Sequence, residues 1–250
     1  MLAANVGVAK EEKEGVAFCF RAPPDWFKSI GMRRDFRPSP MQAAMPALRW
    51  LFVFMAVGAL GRWWGLFWFC LPFFVFHAAF HRNPRRRAPE DPALLVAPAD
   101  GRVTDIVEVD EPKFIKGKAK RVGIFLSIFD VHTQPSPCDA TLKFVDYQPG
   151  RFLDARDSDA SSKNESQMLG LETPDGTRLV VKQISGMIAR RIILWRLMDE
   201  EVKRGELLGM IRYGSRVEFY LPQDFGEVLV KEGDRVRGGK TPVARRLFAP

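Results

Sequence analysis

Apolar residues are concentrated in one window of the chain, residues 51–80. The window holds two runs, LFVFMAVGALG (51–61) and GLFWFCLPFFVFHAAF (65–80), which Arg62, Trp63 and Trp64 separate. A spanning helix needs about 20 apolar residues, whereas the first run is shorter and the second contains Pro72. The pattern therefore predicts a membrane-associated helical hairpin over residues 46–84. A buried core hairpin of a soluble protein is the alternative.

A different pattern begins near Ala97, where short segments rich in β-branched and aromatic residues alternate with turn signals. Six segments are typical of strands: GRVTDIVEV, RVGIFLSIF, TLKFVDY, RLVVKQIS, RVEFYL and GEVLV. Residues 187–198 favour a helix, because Ile188, Ile192 and Trp195 fall at i, i+4 and i+7. We therefore predict an α+β, β-rich chain in which residues 92–250 form a β-sandwich-like domain with minor helix.

Two polar segments lack a periodic pattern. Residues 1–45 are mixed in character and end in a proline-bearing stretch, RPSPMQAAMP, so we expect a poorly ordered extension. The extension does not resemble a secretory signal, because the apolar window lies too far along the chain. Residues 154–167, DARDSDASSKNESQ, lie between two predicted strands. We expect a solvated surface loop there, with a lid over a functional site as the alternative.

The distribution of charge points to a membrane rather than to nucleic acid. Lys and Arg number 38 against 30 Asp and Glu, a formal net charge of +8. The basic residues cluster on both sides of the apolar window, at Arg33, Arg34, Arg37, Arg49, Arg82, Arg85, Arg86 and Arg87. Basic residues beside an apolar segment are typical of contact with an anionic bilayer surface. The positive-inside rule predicts that both ends of the hairpin lie in the cytoplasm, and we expect the protein at the cytoplasmic side of the cell inner membrane.

The cysteines and histidines do not form a metal-binding pattern. Cys19, Cys70 and Cys138 are far apart, and no CxxC pair occurs. We therefore expect no metal and a reducing compartment. Cys138 has the pattern of a small buried packing residue. Of the three histidines, His132 alone lies well beyond the apolar window.

A local pseudo-repeat leaves a non-enzymatic interpretation open. EVKRGELLG (201–209) and LVKEGDRVRGG (229–239) share the glycine-bearing turns that join short strands in small carrier domains. A carrier requires an exposed lysine between its halves, but the stretch between these segments contains Gly214 and Ser215 and no lysine. A membrane-anchored β-sandwich module that binds lipid or a partner protein remains the alternative to an enzyme.

Three segments carry candidate chemistry: PADGRV (98–103), SIFDVHTQPSP (127–137) and VKRGELLGMIRYGSRVEFYLP (202–222). A serine hydroxyl becomes nucleophilic when a histidine oriented by a carboxylate removes its proton. Asp100, His132 and Ser215 are the residue types for this arrangement. Each also has a structural interpretation when taken alone: a turn aspartate, a core histidine and an ordinary Gly-Ser turn.

The order and spacing of the three segments resemble phosphatidylserine decarboxylase, in its short bacterial and archaeal form, from about Phe76 to Arg246. The resemblance implies catalytic residues at Asp100, His132 and Ser215, and self-cleavage of a zymogen between Gly214 and Ser215. It implies that Ser215 becomes a covalent pyruvoyl group, the only cofactor required. The implied substrate is phosphatidylserine in an anionic membrane, in a step of phospholipid biosynthesis.

Further expectations accompany this resemblance. The long and short fragments are expected to remain associated, nucleic acid is not an expected partner, and a homo-oligomer is left open. The longer bacterial form carries a second histidine where this chain has Phe129, so contacts of that subclass with the substrate carboxylate are not carried over. Arg190 and Arg191 are candidate phosphate contacts, with a solvated helix face as the alternative. Other pyruvoyl decarboxylases act on soluble amino acids, but the hydrophobic hairpin favours a lipid substrate.

Overall fold

The computed structural model describes residues 39–157, 159–187, 191–212 and 214–247. Most of the predicted N-terminal extension, and also Cys19, Ile188, Arg190 and Tyr213, therefore lie outside the described residues. Helix α1, Pro40–Leu60, begins within the last part of that predicted extension. Ser39 caps it: its Oγ accepts a hydrogen bond from the Gln42 N–H, and the Gln42 side chain accepts one from the Ser39 N–H.

Helix α2, Trp64–Phe80, follows α1 after a short turn and packs against it as a helical pair. By length and composition α1 is apolar enough to cross a membrane, and α2 is a shorter apolar helix. Most large side chains of the pair face outward, among them Trp50, Phe52, Phe54, Trp63, Trp68, Phe69 and Phe73. This outward exposure does not support a buried core hairpin.

The remainder is built on a curled eight-stranded sheet with the order β13-β2-β3-β11-β7-β6-β5-β9. Its strands are β2 Gly101–Glu111, β3 Gly117–Leu126, β5 Ala140–Gln148, β6 Ser166–Glu172, β7 Arg178–Ser185, β9 Glu201–Val202, β11 Ser215–Pro222 and β13 Arg235–Val236. All of the strand pairs are antiparallel.

Two three-stranded sheets complete the domain. One has the order β1-β14-β12 and the other β4-β10-β8. Their strands are β1 Leu94–Val96, β4 Thr133–Pro135, β8 Ile192–Leu194, β10 Leu207–Ile211, β12 Gly226–Val228 and β14 Pro242–Arg246. A single turn of helix, α3, covers Ala160–Lys163. The predicted α+β, β-rich fold class with an N-terminal apolar helix pair is confirmed.

Strand β11 shows how the alternating sequence separates two environments. Val217, Phe219 and Leu221 project into the main hydrophobic core, together with buried residues of β3, β6 and β7. Arg216 and Glu218 project to the other face and are also buried. Arg216 Nη2 pairs with Asp105 Oδ2 at 2.5 Å, and Arg216 Nε pairs with Glu218 Oε1 at 2.9 Å.

The predicted helix over residues 187–198 is wrong for its described part. Ile192–Leu194 form strand β8, in register with Ile211 to Gly209 of strand β10. Gly209 permits this pairing, because a Cβ atom there would lie 2.2 Å from the carbonyl oxygen of Ile193. Helical spacing of three apolar residues was outweighed by pairing with a distant strand.

The surface-loop expectation for residues 154–167 is also wrong for several of its members. Ala155, Ala160, Asn164 and the residues up to Gln167 are buried. Asn164 Nδ2 donates to the carbonyl oxygen of Ser185 at 2.8 Å, and the Ser185 N–H donates to the carbonyl oxygen of Glu165 at 2.9 Å. The segment is therefore fastened to the end of strand β7, beside the start of strand β11.

Candidate active site

Ser215 is the first residue of strand β11, in the middle of the eight-stranded sheet. It lies in register with Leu126 of β3 on one side and Ser185 of β7 on the other. The side chain is fully buried, and its Oγ has no hydrogen-bond partner among the described residues. An unpartnered buried hydroxyl costs stability, so its persistence calls for a functional explanation.

Gly214 reaches Ser215 in a left-handed backbone conformation, with φ at +74°. Residues with a side chain rarely adopt this conformation, so glycine suits the position before the serine. The carbonyl oxygen of Gly214 lies against Gly186, where a Cβ atom would come within 2.7 Å of it. Gly186 therefore leaves room for the Gly214 carbonyl, and no motif in the sequence pointed to this role.

His132 contacts the Gly-Ser dipeptide directly. Its Nε2 accepts a hydrogen bond from the Gly214 N–H at 3.1 Å, and its Nδ1 lies 3.0 Å from the carbonyl oxygen of Asp130. A carbonyl oxygen only accepts and a backbone N–H only donates, so Nδ1 must carry the proton and Nε2 the lone pair. The imidazole is thus neutral, with its basic nitrogen toward the Gly214-Ser215 dipeptide.

Burial keeps this imidazole neutral. It is fully buried, and the Phe80 ring lies over it with 4.3 Å between ring centroids. Desolvation lowers the pKa of His132 to about 4, and the positive charge of Arg82 lowers it further. The hydrogen bond to the Asp130 carbonyl and the negative charges of Asp130 and Asp100 oppose this shift without cancelling it.

Asp100 does not make the hydrogen bond to His132 that the sequence pattern predicts. Its carboxylate accepts hydrogen bonds from both terminal nitrogens of Arg86, with 2.7 Å between Nη2 and Oδ2. It also accepts a hydrogen bond from the Gly238 N–H at 2.8 Å. Asp100 is close enough to raise the pKa of His132 through space. The Asp130 carbonyl holds the tautomer instead, and Ser215 Oγ is not hydrogen-bonded to the imidazole.

Two buried glutamines form a hydrogen-bond chain that ends at the backbone of His132. Gln134 Nε2 donates to the carbonyl oxygen of His132 at 2.8 Å, and Gln183 Nε2 donates to Gln134 Oε1 at 2.9 Å. Neither glutamine was predicted from the sequence. Arg86 was predicted only as a basic residue flanking the membrane segment. Gln134 lies in the same short motif as His132, and that proximity was the one available signal.

The remaining candidates lie apart from this chemistry. Burial raises the pKa of the Cys138 thiol to about 12, so it is unreactive. The described ranges contain no group of three or more His, Cys, Asp or Glu residues suited to a metal ion. Arg191 is exposed and lies just before strand β8 rather than on a helix.

Comparison with known proteins identifies the family. A family model described as phosphatidylserine decarboxylase matches residues 73–244. A phosphatidylserine decarboxylase proenzyme of Carboxydothermus hydrogenoformans is 46% identical over 194 residues, which are 77% of this chain and 90% of that protein. The proenzyme of Symbiobacterium thermophilum is 43% identical over 193 residues, 77% of this chain and 89% of that protein.

A third relative agrees with these two. The phosphatidylserine decarboxylase proenzyme of Rhodopirellula baltica is 42% identical over 197 residues, 76% of this chain and 80% of that protein. The matched residues include Asp100, His132, Gly214 and Ser215, together with the end of helix α2. The chain therefore belongs to the phosphatidylserine decarboxylase family, whose members are carboxy-lyases.

Proposed function

We propose that this chain cleaves itself between Gly214 and Ser215 and then converts phosphatidylserine into phosphatidylethanolamine. The decarboxylase is assigned to residues 92–250 and membrane association to residues 46–84. The observation that carries the proposal is the hydrogen bond from the Gly214 N–H to His132 Nε2, at 3.1 Å. This N–H belongs to the peptide group just before the Gly214–Ser215 bond, so the contact supports a role for a neutral imidazole as the base at the adjacent bond.

In the proposed cleavage, His132 Nε2 first exchanges the Gly214 N–H for the Ser215 hydroxyl and takes its proton. Ser215 Oγ then attacks the carbonyl carbon of Gly214, and the peptide C–N bond breaks as the ester forms, with His132 returning its proton to the departing Ser215 nitrogen. Loss of the Ser215 Cα proton expels the Gly214 carboxylate and leaves a dehydroalanine. Water converts that group into the pyruvoyl carbonyl and releases ammonia.

Two features of the chain suit this chemistry. The left-handed turn at Gly214, with φ at +74°, gives the serine a flexible neighbour. The Ser215 hydroxyl is buried and lacks a competing partner among the residues described. The carboxylate of Asp100, paired with Arg86, lies near enough to act on the imidazole through its charge. We assign the Asp100 carboxylate a supporting electrostatic role toward His132.

The buried Ser215 Oγ, which has no hydrogen-bond partner among the described residues, suits conversion of this residue into a pyruvoyl group. That group supplies an electron sink for the breaking carbon–carboxylate bond. Strand β11 is hydrogen-bonded to β3 and to β7 on its two sides, which supports continued association of the two fragments after cleavage. His132 stays beside the new fragment end, where it can return a proton to the substrate carbon after carbon dioxide leaves.

The membrane position of the enzyme is proposed from the hairpin. Its outward aromatic side chains fit a lipid environment, and the basic residues at its end, Arg82, Arg85 and Arg87, fit an anionic surface. With both ends of the hairpin on the basic side, the decarboxylase lies at the cytoplasmic face of the inner membrane.

Replacement of the serine tests the cleavage. In denaturing electrophoresis and intact mass measurement, the wild-type chain should give two fragments that meet at Gly214 and Ser215, and Ser215→Ala should give one chain. Ser136→Ala removes another buried serine, whose Oγ donates to the Cys138 carbonyl, and should still give two fragments. Borohydride should reduce the short fragment of the wild type. A wild-type chain that decarboxylates lipid without being cut would refute the mechanism.

The substrate class requires a separate assay. The cleaved enzyme should release carbon dioxide from phosphatidylserine vesicles and leave free serine unchanged. Release from free serine alone would favour a soluble amino acid decarboxylase. A chain that binds these vesicles and remains uncut and inactive would favour the non-catalytic lipid-binding module.

A further inference from the structure

Phe80 behaves differently from the rest of the helix that it ends. Along α2, Trp68 is 62% exposed, Phe69 67% and Phe73 53%, whereas Phe80 is 1% exposed. Its ring faces the His132 ring at a centroid distance of 4.3 Å and an interplanar angle of 35°. The last residue of the hairpin is therefore packed inside the β domain, on the side chain that contacts the cleavage dipeptide.

Two further contacts hold the base of the hairpin at this place. Arg82 Nη2 donates to the carbonyl oxygen of Phe129 at 2.5 Å, in the turn that precedes His132. Arg212 Nη2 donates to the carbonyl oxygen of Ala43 at 2.8 Å, which ties helix α1 to the segment just before Gly214. The hairpin is thus connected to the chain on both sides of the site.

We propose that Phe80 is a positioning residue: it seals His132 from solvent and fixes the plane of its ring beneath the membrane hairpin. The inference rests on the proposed role of His132 as the base in self-cleavage. The end of the membrane hairpin would then line the active site, because the ring of Phe80 contacts the ring of His132.

The physical consequence concerns the protonation of the imidazole. The charged groups that act on it are Asp130 on its own segment, Arg82 after helix α2, and Asp100 before strand β2. Since desolvation is the largest influence on its pKa, removal of the Phe80 ring should let water reach the imidazole. The pKa of His132 should then rise from about 4 toward its ordinary value of 6.5.

Histidine NMR measures this directly, because the chain contains only three histidines. The full-length Ser215→Ala chain, labelled at its histidine rings and held in phospholipid nanodiscs, remains uncut during a titration. The His132 signal is the one lost in a His132→Gln variant of that chain. Phe80→Ala should raise the midpoint of this signal, and Phe80→Leu, which keeps an apolar cover, should raise it less. Phe73→Ala, on the exposed part of the same helix, should leave it unchanged.

The second readout is the rate of self-cleavage, measured in chains that retain Ser215. At pH 5.5 a base with an ordinary histidine pKa is about one-tenth neutral, so Phe80→Ala should cut up to about tenfold more slowly than at pH 8. The wild type should show no such difference. A His132 midpoint that does not move in Phe80→Ala, or an equal loss of rate at both pH values, would overturn the inference.

The two proposals can fail separately. If His132→Gln is cut at the wild-type rate, the proposed function fails whatever Phe80 does. If His132→Gln is not cut but Phe80→Ala matches the wild type in both readouts, only the inference about Phe80 fails. Should Phe80→Ala not fold, the smaller shift in Phe80→Leu decides the matter, and its absence refutes the inference.

Discussion

The hairpin and the β domain use the same aromatic residue types in opposite ways. In the hairpin Trp68 and Phe69 are more than three-fifths exposed, while Phe219 in strand β11 is fully buried among β-strand side chains. On a soluble protein, a contiguous exposed apolar surface marks a site of association with another molecule. In a membrane, lipid covers such a surface and keeps it from water. The difference supports the proposal that water surrounds the domain and lipid surrounds the hairpin.

The candidate site lies where these two regions meet. Phe80 belongs to the hairpin by sequence and to the domain by burial, and it covers His132. A lipid headgroup at the membrane surface would thus be near His132, which is proposed to return a proton to the substrate carbon.

The largest expected effect is at the junction. His132→Gln should slow self-cleavage about 10²–10⁴-fold, because a positioned general base contributes about that factor. The measurement is the appearance of two fragments during cell-free synthesis in the presence of vesicles. His77→Gln, on helix α2, should be cut at the normal rate. Equal rates for wild type and His132→Gln would place the base elsewhere.

The same deletion in the two regions should have opposite results. Phe219→Ala should lower the free energy of unfolding by about 3–5 kcal/mol, because it leaves a cavity in the core. Phe73→Ala should leave the stability of the domain near its original value. It should weaken vesicle binding by about 1.5–3 kcal/mol, the free energy gained when one large apolar side chain is buried. Chemical unfolding of the uncut Ser215→Ala chain in detergent and vesicle sedimentation measure the two. Equal destabilisation by both changes would contradict the comparison.

The charged face of strand β11 should be as sensitive as its apolar face. Glu218→Ala leaves the buried Arg216 without one of its two carboxylate partners, at a cost of about 3 kcal/mol or more. The exposed pair of Lys163 with Asp159, at 2.5 Å, is the control, and Lys163→Ala should cost about 0.5 kcal/mol or less. The same unfolding assay compares them. A loss of under 1 kcal/mol for Glu218→Ala would show that the pair is dispensable.

A further prediction is a pH dependence of stability. Because the pKa of His132 is about 4 in the folded chain and near 6.5 in the unfolded chain, the unfolded state binds more protons between these values. Stability from this group is therefore complete above pH 6.5 and is lost as pH falls toward 4. The His132→Gln change, made in the uncut Ser215→Ala chain, should remove this part of the slope. An unchanged slope would mean that the imidazole is solvated.

The sequence predicted the elements well where local pattern and tertiary environment agree. The alternation of strand β11 and the apolar runs of the hairpin each specify one geometry, so both were found. Residues 192–194 were misassigned, because Ile192 and Trp195 also fit a helical spacing and the competing partner, strand β10, lies farther along the chain. Local periodicity carries no information about a partner that folding brings in later.

For the candidate site, the sequence alone determined the residue types and their order along the chain: Asp100, His132, Gly214 and Ser215. That order was enough to indicate the family to which the chain belongs. Only the tertiary structure decided their partners. Asp100 pairs with Arg86, the carbonyl of Asp130 sets the histidine tautomer, and Phe80 of the hairpin covers the ring. Hydrogen bonds and burial depend on distances between segments that are far apart in the chain, and those distances exist only once the sheet and the hairpin have packed together.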